Sequence, residues 1–326
     1  MMISTEPLPD VQADAQGPTR RPFARRTFLV AGGGTLLAAA GGTGWALNRY
    51  VIEHVEVTDA SAQQPANATV AQPASGTATA DAYTSDTASI KISKRTSGSG
   101  NSLLTWFVAD ITVTDATIVR SAFANDSFGE NIVANPSVIA AQTGAMLAIN
   151  GDYYGFRDTG IVIRNGVAYR DQGARQGMAI RTDGSMSLYD ETKTNAAELL
   201  ADGVWQTLSF GPGLVENGEV IAGIDNLEID TNFGNHSVQG NQPRTGVGVI
   251  ASNHFLFIVV DGRSTGYSRG ASMSEFAQMF VDEGAKVAYN LDGGGSSAMV
   301  FNGSLVNNPL GRGRERGTSD ILYVAG

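Results

Sequence analysis

Residues 255–301 read FLFIVVDGRSTGYSRGASMSEFAQMFVDEGAKVAYNLDGGGSSAMVF, and the architecture follows from them. Residues 254–260 are an apolar run of β-branched and aromatic side chains, the pattern of a buried strand, and it stops abruptly at Asp261-Gly262-Arg263. A second run, 286–291, stops in the same way at Asp292-Gly293-Gly294-Gly295-Ser296-Ser297. Consecutive glycines let backbone N–H groups approach a ligand without interference from Cβ atoms. Two strand ends therefore offer two carboxylates, a guanidinium and a set of backbone donors. A bare glycine triplet is a flexible turn; flanked by Asp292, by Ser296-Ser297 and by strands, it reads as a site. Between the runs, Ser272-x-x-Glu275 fits a capping box opening a helix over 273–283, which gives Glu275 a structural task.

Working outward, residues 145–149 form a third apolar segment that ends on polar groups, Asn150-Gly151-Asp152-Tyr153-Tyr154, after a helix over 138–145 introduced by Asn135-Pro136-Ser137. Residues 103–123 alternate and predict two strands near the domain edge. Asn165-Gly166 sets a hairpin over 161–170, and Asp183-Gly184 joins strands at 178–181 and 186–189. A brief helix spans 195–201, and strands at 205–210 and 214–215 flank Gly211-Pro212-Gly213. Arg244 stands at the entrance of a strand over 247–250, and Arg314-Glu315-Arg316 precedes a last strand over 321–324. The expected class is α+β, mostly β: mixed or antiparallel sheets with a few outer helices, in one domain over 90–326 with its motifs gathered at one end of the strands.

The N-terminal region reads differently. Residues 1–26 form a tail ending in Arg25-Arg26, a twin-arginine pattern that would place it on the cytoplasmic side, and residues 27–48 are uncharged and rich in Ala, Gly and Leu. That length suffices for a signal or membrane-anchor helix, since about 20 apolar residues span a bilayer. Residues 49–89, of Ala, Thr, Ser, Gln, Asp and Pro, read as a disordered linker. The expected location is extracytoplasmic, anchored through the N-terminal helix, or secreted if the signal is cleaved. The chain has no cysteine, which excludes thiol catalysis and thiolate metal sites. Residues 1–50 carry five arginines against three acids; taking that +2 from the net −10 leaves −12 on the remainder, which argues against nucleic acid as a partner.

Six ordered blocks carry a family resemblance: residues 148–154 (AINGDYY), 210–215 (FGPGLV), 243–246 (PRTG), 260–263 (VDGR) with 267–270 (YSRG), 290–297 (NLDGGGSS), and Glu315-Arg316 before the last strand. Together they resemble the phosphodiester glycosidase family, over residues from about 123 to the C-terminus. Two departures are Gly246, where the family often has alanine, and the sequence 317–320 (GTSD) after Glu315-Arg316.

The resemblance implies hydrolysis of a sugar 1-phosphodiester, with release of the sugar and a phosphomonoester left on the other group. Cleavage at C1 develops oxocarbenium character, which calls for a carboxylate, and the phosphate calls for arginine and backbone donors. On that basis Asp261, Asp292 and Glu315 are the candidates for nucleophile or base and for sugar contact. Arg244, Arg263 and the Gly293, Gly294, Gly295 turn are expected to hold the phosphate, with Ser296 and Arg316 beside them, and Asn150 and Asp152 to bind sugar hydroxyls or to support the catalytic acid. No cofactor is required; Asp152, Asp261 and Asp292 are candidate oxygen ligands for Ca²⁺ or Mg²⁺. His54, His236 and His254 show no zinc spacing. The expected partner is a phosphoglycan. The alternatives are a metal-dependent phosphodiesterase cutting P–O and a non-catalytic surface glycan-binding module.

Overall fold

The computed structural model of the chain describes residues 48, 51–64, 76–229 and 237–325. The twin-arginine tail, all of the expected anchor helix except Asn48, and His236 lie outside them. Among the described residues no helix is long and apolar enough to cross a membrane.

The strand read first from sequence, His254–Val260, lies inside a nine-stranded sheet, between Arg244–Ala251 and Leu104–Val113. Its side chains alternate between two cores. Phe255, Phe257 and Val259 join one cluster, whereas Leu256, Ile258 and Val260 join another. Burial on both faces explains why residues 255–260 carry no polar side chain. The full order in this sheet is Glu219–Val220, Gly213–Glu216, Val287–Asn290, Arg244–Ala251, His254–Val260, Leu104–Val113, Ala88–Ser97, Ala82–Thr84 and Thr77–Ala78.

A five-stranded sheet, Ser304–Leu305, Met299–Phe301, Ala145–Asn150, Asp320–Ala325 and Val119–Phe123, shares the first core through Leu147, Ile149, Met299, Phe301, Leu322 and Val324. Helix α1, Pro136–Thr143, covers its other face with Ile139 and Ala140 against Ala148, Val300, Ile321 and Tyr323. Helix α2 is the short segment Ala196–Ala201. Helix α3, Met273–Asp282, packs Phe276 and Phe280 on the outer face of the nine-stranded sheet. The result is two sheets face to face with a helix on each outer side. Smaller sheets add Gly160–Arg164 with Val167–Gln172, and Met186–Asp190, Gln176–Arg181 and Val204–Leu208. Every strand pair among the described residues is antiparallel.

Most element readings stand, including the capping box at Ser272 and Glu275 and the hairpin at Asn165-Gly166. Helix α1 runs from Pro136 because proline fits the first turn, and it stops at Gly144, which takes a left-handed φ of 65°. Two expectations are corrected. Of the two strands in 103–123, only Val119–Phe123 is at an edge; Leu104–Val113 is central because it buries Phe107 and Ile111 on one face and Leu104 and Val108 on the other.

The disordered linker is the second correction. Within 49–89, His54–Val57 pairs with Phe128–Glu130, and Ala82–Thr84 pairs with Ala88–Ser97. Ala60 is 1% exposed and Tyr83 is 2% exposed, so a few apolar residues in a polar composition anchor the segment to the domain. A truncated chain beginning at Asp86 loses Tyr83 from the main core and is expected to be less stable than one beginning at Val51 by about 3–5 kcal/mol, the usual cost of removing a buried aromatic. Denaturant midpoints of the two chains check this; equal midpoints would restore the linker reading.

Candidate active site

Antiparallel pairing brings the polar strand ends together. Arg244 is opposite Val260, the last residue before Asp261, and Gly246 is opposite Asn290, so the start of one strand and the ends of its two neighbours share one edge of the nine-stranded sheet. Asn150 ends its strand in the five-stranded sheet at the same place. Its side chain donates to the Asp292 carbonyl (2.7 Å) and accepts from Thr245 Oγ1 (2.8 Å) and from the Ala298 N–H (3.2 Å). This fully buried amide stitches the two sheets together beneath the glycine turn.

The cleft above it is walled by Tyr153, Arg157, Phe210, Gln242, Arg244, Arg263, Asn290, Asp292, Gly293 to Gly295 and Arg316, with Ile229 and Val238 adding apolar surface. Asp292 is the one carboxylate among these lining residues, which include four arginines. Its side chain keeps 13% of its surface exposed, and Arg316 Nη2 stands 3.6 Å from Oδ2. Burial pushes the Asp292 carboxyl above the ordinary aspartate value, with Arg316, Ser296, Arg157 and the Gly293 N–H pulling the other way.

Arg316 also donates through Nε to Ser296 Oγ (3.1 Å). Arg244 is 3% exposed, and its Nε and Nη2 donate only to backbone carbonyls, those of Ala271 (3.1 Å) and Gly240 (2.8 Å). It has no ion pair among the described residues. Burial pulls its guanidinium down to about 10, with Asp225 pulling the other way and Arg263 adding to the fall. Arg263, exposed and with φ 54°, donates Nε to Gln242 (2.8 Å). Arg157 lies against both Tyr153 (5.1 Å) and Phe210 (5.0 Å), two rings that meet edge to face, and donates to the Ser209 carbonyl (3.0 Å). Asn290 donates to the Gly211 carbonyl (2.8 Å), and its Oδ1 is buried with no protein partner among the described residues.

The glycine turn serves close approach more than donation. A Cβ on Gly293 would stand 2.8 Å from the Pro243 carbonyl oxygen, and Gly294 takes φ 62°. The Gly294 N–H is spent on that same carbonyl (3.0 Å), and the Gly293 N–H faces Asp292. The expected cradle of three backbone donors is thereby reduced, and arginine supplies the positive surface.

Of the residues singled out from sequence, Arg244, Arg263, Asp292, Gly293, Gly294, Gly295 and Arg316 meet at the cleft; Ser296 and Asn150 lie just behind it. Three carboxylates do not line it. Asp261, 1% exposed, accepts from Asn307 Nδ2 (2.8 Å), the Tyr267 hydroxyl (2.7 Å) and the Asn308 N–H (2.9 Å), so it is saturated by the loops it anchors. Glu315 accepts from the Ser137 N–H (2.8 Å) and from its hydroxyl, capping α1. Asp152 accepts from the N–H groups of Tyr153 (2.7 Å) and Ser209 (2.6 Å) and lies 3.6 Å from Arg164 Nη2. Among the described residues, no three His, Asp or Glu side chains are grouped to hold a metal, so the ligand set Asp152, Asp261 and Asp292 is not assembled. Arg157 and Phe210 were missed as site residues, although the strand-end logic that found Asp152 extends five residues on to Arg157.

The model of the family described as phosphodiester glycosidase matches residues 143–325. A Bacillus subtilis (strain 168) SPbeta prophage-derived uncharacterized protein is 29% identical over 57% of this chain and 29% of its own length. The N-acetylglucosamine-1-phosphodiester alpha-N-acetylglucosaminidase of Bos taurus is 28% identical over 52% of this chain and 34% of its own. The chain thus spans about a third of the length of these curated relatives. Among solved structures, the zebrafish N-acetylglucosamine-1-phosphodiester alpha-N-acetylglucosaminidase catalytic domain, auto-inhibited by pro-peptide, superposes with a TM-score of 0.58 at 22% identity, covering 85% of this chain and 97% of that one. A hypothetical protein from Synechocystis gives 0.54 at 15% identity, covering 73% and 62%. These structural likenesses show the fold. With the family model matching more than half of the sequence, the chain belongs to the phosphodiester glycosidase family.

Proposed function

We propose that the cleft hydrolyses a glycosyl phosphodiester at C1, adding water to the sugar and releasing the other group as a phosphomonoester. The observation that carries this reading is the charge of the cleft: one carboxylate among four arginines, in a chain whose net charge is −10. Arg244 matters most, because a buried guanidinium bonded only to carbonyls is a charge waiting for an anion. Asp292 supplies the negative charge that an oxocarbenium-like transition state needs, and Arg244 and Arg263 take the phosphate. The leaving group is a phosphate, already acidic, so departure needs no general acid and one carboxylate in the cleft suffices. Tyr153 and Phe210 offer apolar surface to a sugar ring, and Asn290 Oδ1 an acceptor for one of its hydroxyls. The proposal includes export and attachment to a membrane, supported by Arg25-Arg26 and the uncharged residues 27–48.

Asp292→Asn is expected to lower kcat/KM on a sugar 1-phosphodiester by about 10²- to 10⁴-fold. Glu315→Gln is expected to cost stability, about 1 kcal/mol, through the weakened α1 cap, and to leave turnover close to wild type. Stopped assays with product quantification separate the two; equal losses of turnover would return Glu315 to the chemistry.

The pH dependence follows from the Asp292 environment. Asp292 acts ionised, and burial raises its pKa, so activity is expected to rise with pH along an acid limb lying above the ordinary aspartate value of about 3.9. Arg316 favours the ionised form, so Arg316→Gln should move that limb to higher pH. A limb that stays put or moves down in kcat/KM profiles would show that Asp292 is not the titrating group.

A further inference from the structure

The positive charge of the cleft continues onto its rim. Gly311 packs so closely on the Arg263 loop that an added Cβ would stand 2.1 Å from Ser264 Oγ, and the Asn308 N–H is bonded to Asp261 Oδ2 (2.9 Å) at the root of that loop. Asn308 in turn accepts from the Gly313 N–H (2.6 Å). A few residues on, Arg316 is bound to Ser296 and faces Asp292 inside the cleft. The intervening Arg312-Gly313-Arg314-Glu315 is therefore tethered along the rim between Arg263 and Arg316.

Arg263, Arg312, Arg314 and Arg316 are all exposed. Neither Arg312 nor Arg314 has an ion pair or a side-chain hydrogen bond among the described residues. Glu315, the one acid in this segment, is turned to Ser137 and does not neutralise them. A solvated run that merely keeps a protein soluble has little purpose as a basic cluster in a chain of net charge −10, whose solubility comes from its acids. Chain connectivity keeps the Cα of Arg314 within about 7 Å of that of Arg316, and of Arg312 within about 14 Å. The screening length at physiological salt is about 8 Å, so successive phosphates along the rim would each meet an arginine before screening removes the attraction.

We propose that Arg312 and Arg314 form a track for the neighbouring phosphates of a polyanionic glycan, so that the substrate is a polymer bearing repeated phosphodiesters. The proposal rests on the hydrolase reading of the cleft and adds the substrate class. A glycan is favoured over a lipid surface because the track is continuous with a cleft that offers both aromatic surface and phosphate-binding arginines.

The test compares the wild-type chain with Arg312→Gln/Arg314→Gln on a small hexose 1-phosphate methyl ester and on a phosphodiester-linked glycan polymer, at low and high salt. In parallel, binding of inorganic polyphosphate, of orthophosphate and of vesicles with and without anionic lipid is titrated. The expected result is a KM for the polymer about fivefold or more higher in the variant, an effect that shrinks with salt, with the small ester unchanged. Equal effects on both substrates, or none on either, would overturn the track and leave the cleft reading standing. If neither substrate is turned over, the cleft reading fails, and polyphosphate then decides: affinity lost in the variant with orthophosphate unchanged sustains the track, and unchanged affinity overturns it. Arginine-dependent binding to anionic vesicles without any preference for polyphosphate over orthophosphate would overturn it in favour of a lipid surface.

Discussion

One buried guanidinium, Arg164, holds the site end of the molecule together. It is 1% exposed, donates Nε to Asp320 Oδ2 (2.8 Å), and lies 3.6 Å from Asp152, which is itself 3% exposed. Asp320 is pushed up to about 6 by burial, with Arg164 pulling it back and Asp152 adding to the rise. Two carboxylates could not share this dry space without the cation; removing one partner of such a buried pair costs several kcal/mol. Asp320 also accepts from the Asp152 N–H (2.8 Å), and Asp152 from the Ser209 N–H. The cluster thus ties the hairpin strand Gly160–Arg164 and the last strand Asp320–Ala325 to the loops carrying Tyr153, Arg157 and Phe210.

The same economy explains the cleft. An acidic chain concentrates arginines where the sheets end, and spends its other nearby carboxylates on structure. Asp261 fastens two loops, Glu315 caps a helix, and Asp152 pairs with Arg164. Asp292 alone among the lining residues is left to the cleft, with its carbonyl fixed by Asn150 and its carboxylate by Arg316. Arg244 and Arg263 then line the open space without an ion pair among the described residues, Asp225 being the acid that acts on Arg244 from a distance.

Much of this was legible in the chain. The apolar run at 254–260 announced a buried strand, the abrupt stops at Asp261 and Asp292 announced strand ends, and antiparallel pairing brought Arg244 to the same edge. What sequence could not supply was the direction of each carboxylate. Asp261 and Asp292 follow similar runs and precede similar turns, yet three donors consume the first, from Tyr267, Asn307 and Asn308, all beyond its own strand. The segment 49–89 misled for a different reason. Its composition is mostly small and polar, and Tyr83, with Ala60 and short ladders, suffices to fold the described part of it onto the domain. Arg157 escaped because its importance comes from contact with two rings that are 57 residues apart in sequence, Phe210 being far from Tyr153 and Arg157 until the chain folds.

The central claim is that the bond broken joins the sugar carbon to oxygen, with Asp292 at the carbon and arginines at the phosphate. Turnover of a sugar 1-phosphodiester in ¹⁸O-enriched water, with both products examined by mass spectrometry and ³¹P NMR, tests it most directly. The account predicts the label in the released sugar and an unlabelled phosphomonoester. Label in the phosphate would show attack at phosphorus and contradict it.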